Sequence, residues 1–144
     1  MKIGSIGVGH MAGVLVTGWR SQGFTGPILL GPRNNDTAAK LAKAWDCQVL
    51  DSNQAVADAA DAVILTVPAK LAKPVLEDLS FREGQLVISA CAGPGQAFLQ
   101  EAVTPGRLVI SLPVAAATRG RSPTLLYPDD AEAKELLEPL GAVF

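Results

Sequence analysis

The stretch Lys2-Ile3-Gly4-Ser5-Ile6-Gly7-Val8-Gly9-His10-Met11-Ala12-Gly13 decides how the rest of the chain is read. A short apolar run enters Gly-x-Gly-x-x-Ala, and a helical pattern follows at once. A dinucleotide-binding turn requires this order. Gly7 permits the tight turn out of a strand, Gly9 has no Cβ to keep a pyrophosphate from the backbone, and Ala12 is small enough for the helix to settle on a sheet. The free N–H groups of the first helical turn then face the phosphates, and the helix dipole favours negative charge there. A glycine cluster alone marks only a tight turn. Its place after a strand and before a helix supplies the dinucleotide reading.

Working outward, apolar residues recur at Met11, Val14, Leu15, Gly18 and Trp19, which predicts a helix from His10 to about Gln22, ended by Gly23. Residues 27–30 read as a short apolar strand closed by Gly31-Pro32, and residues 34–45 as a helix with Ala38, Leu41, Ala42 and Trp45 inward. A third strand is expected over 47–50 and a short helix over 53–60. The apolar run 62–67, between Asp61 and Pro68, reads as a buried central strand. Helix 70–79 follows, with Pro74 placed near its start, then strand 85–91, a Gly93-Pro94-Gly95 turn, helix 96–103 and strand 107–112. Residues 124–127 offer a seventh strand. A last helix runs from Asp129 to about Leu140, with Asp129 and Glu132 as a capping box and Pro139 ending or kinking its final turn.

Strands that alternate with helices imply a doubly wound α/β fold, a mainly parallel sheet with helices on both faces. A ligand then binds at the carboxyl ends of the strands, beside the first one. The segments that follow strands on that side are 7–12, 31–34, 67–70, 90–95 and 112–117.

The bulk properties are those of one domain. The chain has 144 residues, 49% of them hydrophobic, and a net charge of −2. No basic block points to nucleic acid or an anionic membrane, and no apolar run is long enough to span a bilayer. Cys47 and Cys91 fall in different predicted strands without metal-ligand spacing, and read as small core residues in a reducing, cytoplasmic compartment. His10 is the only histidine, which excludes a histidine triad or a multi-histidine metal site.

The end of the second strand separates NAD from NADP. An acid there would hold the ribose 2′-hydroxyl and repel a 2′-phosphate. This chain has Gly31-Pro32-Arg33-Asn34-Asn35, with Asp36 the first acid. Arg33 presents a planar fork of donors suited to a phosphate, and Asn34 adds neutral donors, so NADP is expected. The plainer alternative for Arg33 is a solvated loop cation. His10 likewise has two readings, a donor to a cofactor phosphate or ribose and a local helix cap. Asp129 and Asp130 read as a helix N-terminus rather than a catalytic pair. Arg119 and Arg121 read as solvated, with a substrate carboxylate as the alternative.

Several segments resemble the pyrroline-5-carboxylate reductase family. Met-Lys-Ile-Gly-x-Ile-Gly-x-Gly-x-Met-Ala resembles the family's start. Asp61-Ala-Val-Ile-Leu-Thr-Val67-Pro68 resembles its Asp-Val-Val-Phe-Leu-Ala-Val-Lys-Pro, and Leu86-Val-Ile-Ser-Ala-Cys-Ala-Gly93 its Leu-Val-Ile-Ser-x-x-Ala-Gly. Arg107-Leu-Val-Ile-Ser-Leu-Pro113 resembles Arg-Val-x-Arg-x-Met-Pro-Asn, and Asn53 matches an Asn that the family places against the adenosine end of NADPH. The resemblance implies a Rossmann-type domain, NADP(H) as cofactor and hydride transfer to a C=N bond in proline biosynthesis. It implies cofactor contacts from Gly7, Gly9, His10, Met11, Ala12, Arg33, Asn34, Asn53, Val67, Pro68, Ala92 and Gly93, with no catalytic side chain and no metal ligand assigned.

The departures concern the nicotinamide end. The family's Val-Lys-Pro lacks its lysine here, since Pro68 follows Val67 directly and Lys70 comes two residues later. The family's Met-Pro-Asn-Thr-Pro reads Leu112-Pro113-Val114-Ala115-Ala116, and its preceding Arg is Ile110. Residues 1–144 are expected to be the dinucleotide-binding domain alone, without the helical dimerisation domain that completes the family's substrate pocket. The chain by itself is then expected to bind NADP(H) with little turnover and to self-associate weakly. Two alternatives stand beside a reductase of a small imine or carbonyl compound: a related NADP-dependent dehydrogenase of another substrate, such as a hydroxyacid or a second cofactor that exchanges hydride with the first, and a non-catalytic NADP-binding module.

Overall fold

The computed structural model describes residues 1–7, 10–32, 35–67, 69–90, 96–111, 126–128 and 130–141. In chain order these form β1 (Ile3–Ile6), α1 (His10–Ser21), β2 (Ile28–Leu30), α2 (Asn35–Trp45), β3 (Gln48–Val49), α3 (Asn53–Ala59) and β4 (Ala62–Leu65). There follow α4 (Ala69–Glu77), β5 (Leu86–Ser89), α5 (Gln96–Val103), β6 (Arg107–Ser111), β7 (Leu126–Tyr127), α6 (Ala131–Leu137) and a 3₁₀ turn (Glu138–Leu140). The strands make one sheet in the order β3-β2-β1-β4-β5-β6-β7. β1 to β6 run parallel, and β7 is antiparallel to β6, with Ile110 beside Tyr127.

Alternation along the strands divides the interior into two cores. Ile3, Ile28, Leu30, Ile64, Ile88 and Val109 point to the side covered by α1, α2 and α6, where Trp19 and Leu137 are buried. Leu29, Val63, Leu65, Val87 and Leu108 point to the opposite side, under α3, α4 and α5. Both faces of a parallel sheet must be covered, which is why these strands are apolar at nearly every position. α3 lies so close to β1 that a Cβ on Gly4 would be 2.6 Å from Val56 Cγ1 and 2.7 Å from Ala60 Cβ.

The doubly wound, mainly parallel sheet expected from the sequence is the one observed. α5 spans the expected residues, and Pro139 falls in the 3₁₀ turn that ends the last helix. Three local expectations need correction. Asp130, rather than Asp129, caps α6: its carboxylate accepts from Ala133 N–H at 2.9 Å and pairs with the Arg107 guanidinium at 2.7 Å. The ion pair from β6 selects which of two adjacent acids takes the cap. Pro74 lies inside α4, not at its start. It forfeits one backbone hydrogen bond, and burial of Ala72, Val75 and Leu76 on either side keeps the helix continuous. Cys47 stands just before a two-residue edge strand, half-buried. Burial raises its thiol pKa, with Asp46 adding to this and Arg20 opposing it, so it remains a protonated thiol at neutral pH.

Two arginines fasten helices through backbone carbonyls. Arg20 of α1 donates to the carbonyls of Trp45 at 2.8 Å, Phe24 at 2.9 Å and Gly26 at 2.8 Å, holding the end of α2 against α1. Arg82 donates to Ala57 at 2.9 Å, Asp58 at 2.7 Å and Ala60 at 2.6 Å. Its charge meets the negative end of α3, where a cation is favoured.

Candidate dinucleotide site at the carboxyl edge of the sheet

The parallel strands bring the ends of β1, β2, β4, β5 and β6 to one edge. The sheet order reverses there between β1 and β4, the place where a doubly wound sheet opens a crevice. Two close approaches build this edge.

The first joins Gly7 to Val67. Gly7 has φ +89°, in the region that L side chains avoid. A Cβ there would be 2.7 Å from Val67 N, 2.7 Å from Val67 Cγ1 and 2.9 Å from its Cα. Gly7 is therefore glycine for two reasons, its backbone angle and the absence of space. The chain leaves β1 pressed against the end of the β4 run, and Val67 is buried there.

The second joins Gly31 to Asn53. Gly31 N–H donates to the Ser5 carbonyl at 3.1 Å, extending the β1–β2 ladder past the strand. A Cβ on Gly31 would collide with Asn53 Oδ1. That oxygen is buried and has no hydrogen-bond partner among the described residues. A buried acceptor without a donor is costly, and one at this edge suits a ligand hydroxyl or amine.

Asn53 opens α3, whose position is over-determined. Ser52 caps the helix by accepting from Ala55 N–H at 3.0 Å. Gln54 donates to the Ser80 carbonyl at 3.0 Å and accepts from Ser80 N–H at 2.9 Å. Gln85, itself buried, donates to Ala57 O at 2.8 Å and Ala60 O at 2.9 Å. Residues 80–85 thus hold α3 at both ends.

Ala12 is buried, as expected for the small residue that lets α1 settle on the sheet, and Met11 is half-buried above it. His10 is the first residue of α1, and the first turn of that helix carries no acid. The first turns of α3, α4 and α5 are also free of acids, while α2 carries Asp36. An anion beside α1 meets no carboxylate from its first turn. The site candidates Gly9, Arg33, Asn34, Pro68, Ala92 and Gly93 lie outside the described residues, as do Arg119, Arg121 and residues 112–117. Among the described candidates, the structure brings Gly7 to Val67, and Asn53 to the Gly31 turn.

Sequence reasoning passed over two hydroxyls at this edge. Ser5 Oγ donates to the Gly7 carbonyl at 3.2 Å, and Thr66 Oγ1 donates to the same oxygen. The available signal was chemical: each is the one polar side chain in an otherwise apolar strand run. Among the described residues, no group of three or more His, Cys, Asp or Glu is placed to hold a metal ion. No described helix is long and apolar enough to cross a membrane.

Sheet order and the helices on both faces define a Rossmann-type domain. The chain belongs to the family described as NADP oxidoreductase, coenzyme F420-dependent, which matches residues 2–93. It is similar to pyrroline-5-carboxylate reductase of Pseudomonas aeruginosa, 36% identical over 96 residues, covering 64% of this chain and 35% of that protein. Among solved structures it is similar to 1-pyrroline-5-carboxylate reductase of Streptococcus pyogenes, with TM-score 0.83 and 27% identity over all of this chain and 57% of that one. The prephenate dehydrogenase of Aquifex aeolicus, solved with hydroxyphenyl propionate and NAD+, shares the fold at TM-score 0.83 and 21% identity, covering 100% of this chain and 59% of that one. The chain spans about a third of the length of the curated relative and little more than half of these solved chains. The resemblance to the dinucleotide-binding domain of pyrroline-5-carboxylate reductases is thus borne out.

Proposed function

We propose that residues 1–144 are the NADP(H)-binding domain of an oxidoreductase that reduces a C=N bond, in the manner of pyrroline-5-carboxylate reductases. The observation that carries this reading is the buried, unpartnered Oδ1 of Asn53 beside the Gly31 turn, an acceptor left for a ligand's donor at the carboxyl edge of the sheet. The dinucleotide, when bound, supplies the hydride. The chain's own residues bind and orient. Gly7, Gly9, His10, Met11 and Ala12 bring backbone donors and the start of α1 to the pyrophosphate. Arg33 and Asn34 receive the 2′-phosphate. Asn53 turns its unpartnered Oδ1 to the adenosine end, and Val67, Pro68, Ala92 and Gly93 allow close approach along the edge.

A protonated imine accepts hydride without a strong side-chain acid, which fits a site to which no catalytic residue is assigned. The substrate must still be held within about 3–3.5 Å of the nicotinamide. One domain offers one wall, so a helical domain or a second chain completes the pocket in a cytoplasmic, proline-forming enzyme. A second reading is a dehydrogenase of another substrate, such as a hydroxyacid or a second cofactor that exchanges hydride, favoured by Val114 standing where the family has Asn.

Two measurements test the proposal. Titration of the 144-residue chain with NADPH and NADH should show binding, tighter for NADPH. Steady-state NADPH oxidation with pyrroline-5-carboxylate should lie far below the order of 10 per second typical of enzymes. Equal affinities would overturn the NADP assignment, and rapid turnover the incomplete pocket.

A further inference from the structure

The outer face of α4 carries its charges in an order that a lone helix disfavours. Lys70, Lys73, Pro74 and Glu77 are exposed, as is Asp78 just past the helix end. Helical spacing puts them on one face, away from buried Ala72, Val75 and Leu76. Lys70 is the second residue of α4 and Glu77 its last, and the first turn carries no acid and the last no base. A helix has a partial positive charge at its N-terminus and a partial negative charge at its C-terminus, so each of these side chains stands at the end that repels it. Nor do they compensate one another. Lys73 precedes Glu77 by four residues, the weaker order for a pair within one helix. Both ion pairs among the described residues belong to Arg107, so these lysines and acids have none there.

Apolar surface lies on either side of the same helix. Between α4 and α5 is a cavity of about 310 Å³ lined by Leu76, Leu79, Phe98 and Ala102, with Glu77 and Glu101 also on its wall. On the α3 side a second cavity, of about 390 Å³, is lined in part by Pro74, Val75, Leu79 and Asp78. No described cation lines either cavity. The N-terminal half of the face is therefore basic, its other end is acidic, and apolar surface flanks the acidic end.

We propose that this face is an interface with a second copy of the chain, α4 packing antiparallel to its partner's α4 about a two-fold axis beside Pro74. Such an interface is self-complementary, because the same patch serves both copies. Lys70 and Glu77 lie about 10 Å apart along the helix axis, and Pro74 stands near the midpoint. The axis therefore sets the Lys70–Lys73 half of each helix against the Glu77–Asp78 end of the other. It also sets acids beside a helix N-terminus and lysines beside a C-terminus, which reverses the unfavourable placement within one chain. The flanking cavities offer apolar area to the same contact. The inference stands apart from the dinucleotide reading, since none of these residues is assigned to the cofactor.

The test is the oligomeric state of the full chain, read by sedimentation velocity over a concentration series. At low ionic strength the expected species are monomer and dimer, and the dimer should weaken as salt screens the pairs. Lys73→Glu and Glu77→Lys should each weaken self-association about tenfold, because every substitution acts twice across the axis. An equimolar mixture of the two variants should recover the dimer, since the added acid of one then meets the added lysine of the other. Glu77→Lys places a cation at the end of α4, so its melting temperature should match or exceed the parent's. That melt, and recovery in the mixture, separate lost association from a lost fold. A parent that stays monomeric at low salt overturns the proposal, and so does a mixture no tighter than the single variants. Assemblies that grow beyond a dimer overturn the two-fold pairing, because a contact of this symmetry closes on itself. A monomeric parent that binds polylysine would give the face to a basic partner and likewise overturn the second copy.

Discussion

The backbone of Val67 occupies the space that a side chain on Gly7 would need. The two residues are far apart in sequence, yet a Cβ on Gly7 would be 2.7 Å from Val67 N. The residue that begins the glycine-rich segment is therefore also a packing joint between the ends of the β1 and β4 runs.

Gly7 and Gly9 should consequently respond differently to substitution. Gly7→Ala meets both the backbone angle and Val67, and is expected to destabilise the fold by about 3 kcal/mol, combining the αL cost with overpacking. Gly9→Val should abolish NADPH binding and leave the melting temperature near that of the unaltered chain. Thermal melts followed by circular dichroism, with NADPH titration, separate the two. A Gly7→Ala variant as stable as the parent would contradict the joint.

Asn53 should trade stability for binding. Its Oδ1 is buried without a donor, so Asn53→Ala relieves a penalty of about 1–3 kcal/mol in the cofactor-free protein. The expected outcome is a melting temperature equal to or above the parent's, with weaker NADPH affinity. A variant that melts lower without cofactor would show that Asn53 serves the fold instead.

Acid should loosen α6 through Asp130. The Arg107 guanidinium, hydrogen-bonded to it, and the Ala133 N–H it caps lower its carboxyl pKa against the opposing effect of burial. A folded pKa below the unfolded value means stability is fully present above about pH 3.9. It is lost as pH falls through the folded value. Asp130→Asn keeps an N-cap acceptor but has no charge to lose, so the part of the acid sensitivity due to this group should vanish. Asp130→Ala removes the cap as well and should cost about 1 kcal/mol at pH 7. Urea unfolding at pH 7 and pH 3 checks both, and an unchanged pH dependence in Asp130→Asn would sink the argument.

Arg33 is expected to carry the NADPH preference. Arg33→Ala should narrow the difference between NADPH and NADH by about 1.5–3 kcal/mol, one charge-assisted hydrogen bond to the 2′-phosphate. Parallel titrations of parent and variant measure it. An unchanged ratio would return Arg33 to the solvated-cation reading.

Local chemistry carried much of this protein in the sequence itself. Apolar runs alternating with amphipathic segments specified parallel strands and covering helices, because strand and helix bury their apolar faces with different periods. Gly-x-Gly-x-x-Ala after the first run marked the edge where a ligand is expected, because few other residues tolerate the turn that motif predicts. Pro139 announced the end of the last helix for an equally local reason. Contacts between distant residues decided the rest. Which of Asp129 and Asp130 caps α6 depended on Arg107 reaching across from β6. That Pro74 sits within α4 depended on burial of its neighbours. The pairing of Gly31 with Asn53, and the meeting of Ser5 and Thr66 at the Gly7 carbonyl, depended on β1 lying between β2 and β4. Strand order is set by how crossovers pack, and no residue encodes it locally. The sequence by itself determined the elements and the edge at which a dinucleotide is expected, while only the tertiary structure decided which atoms stand together there.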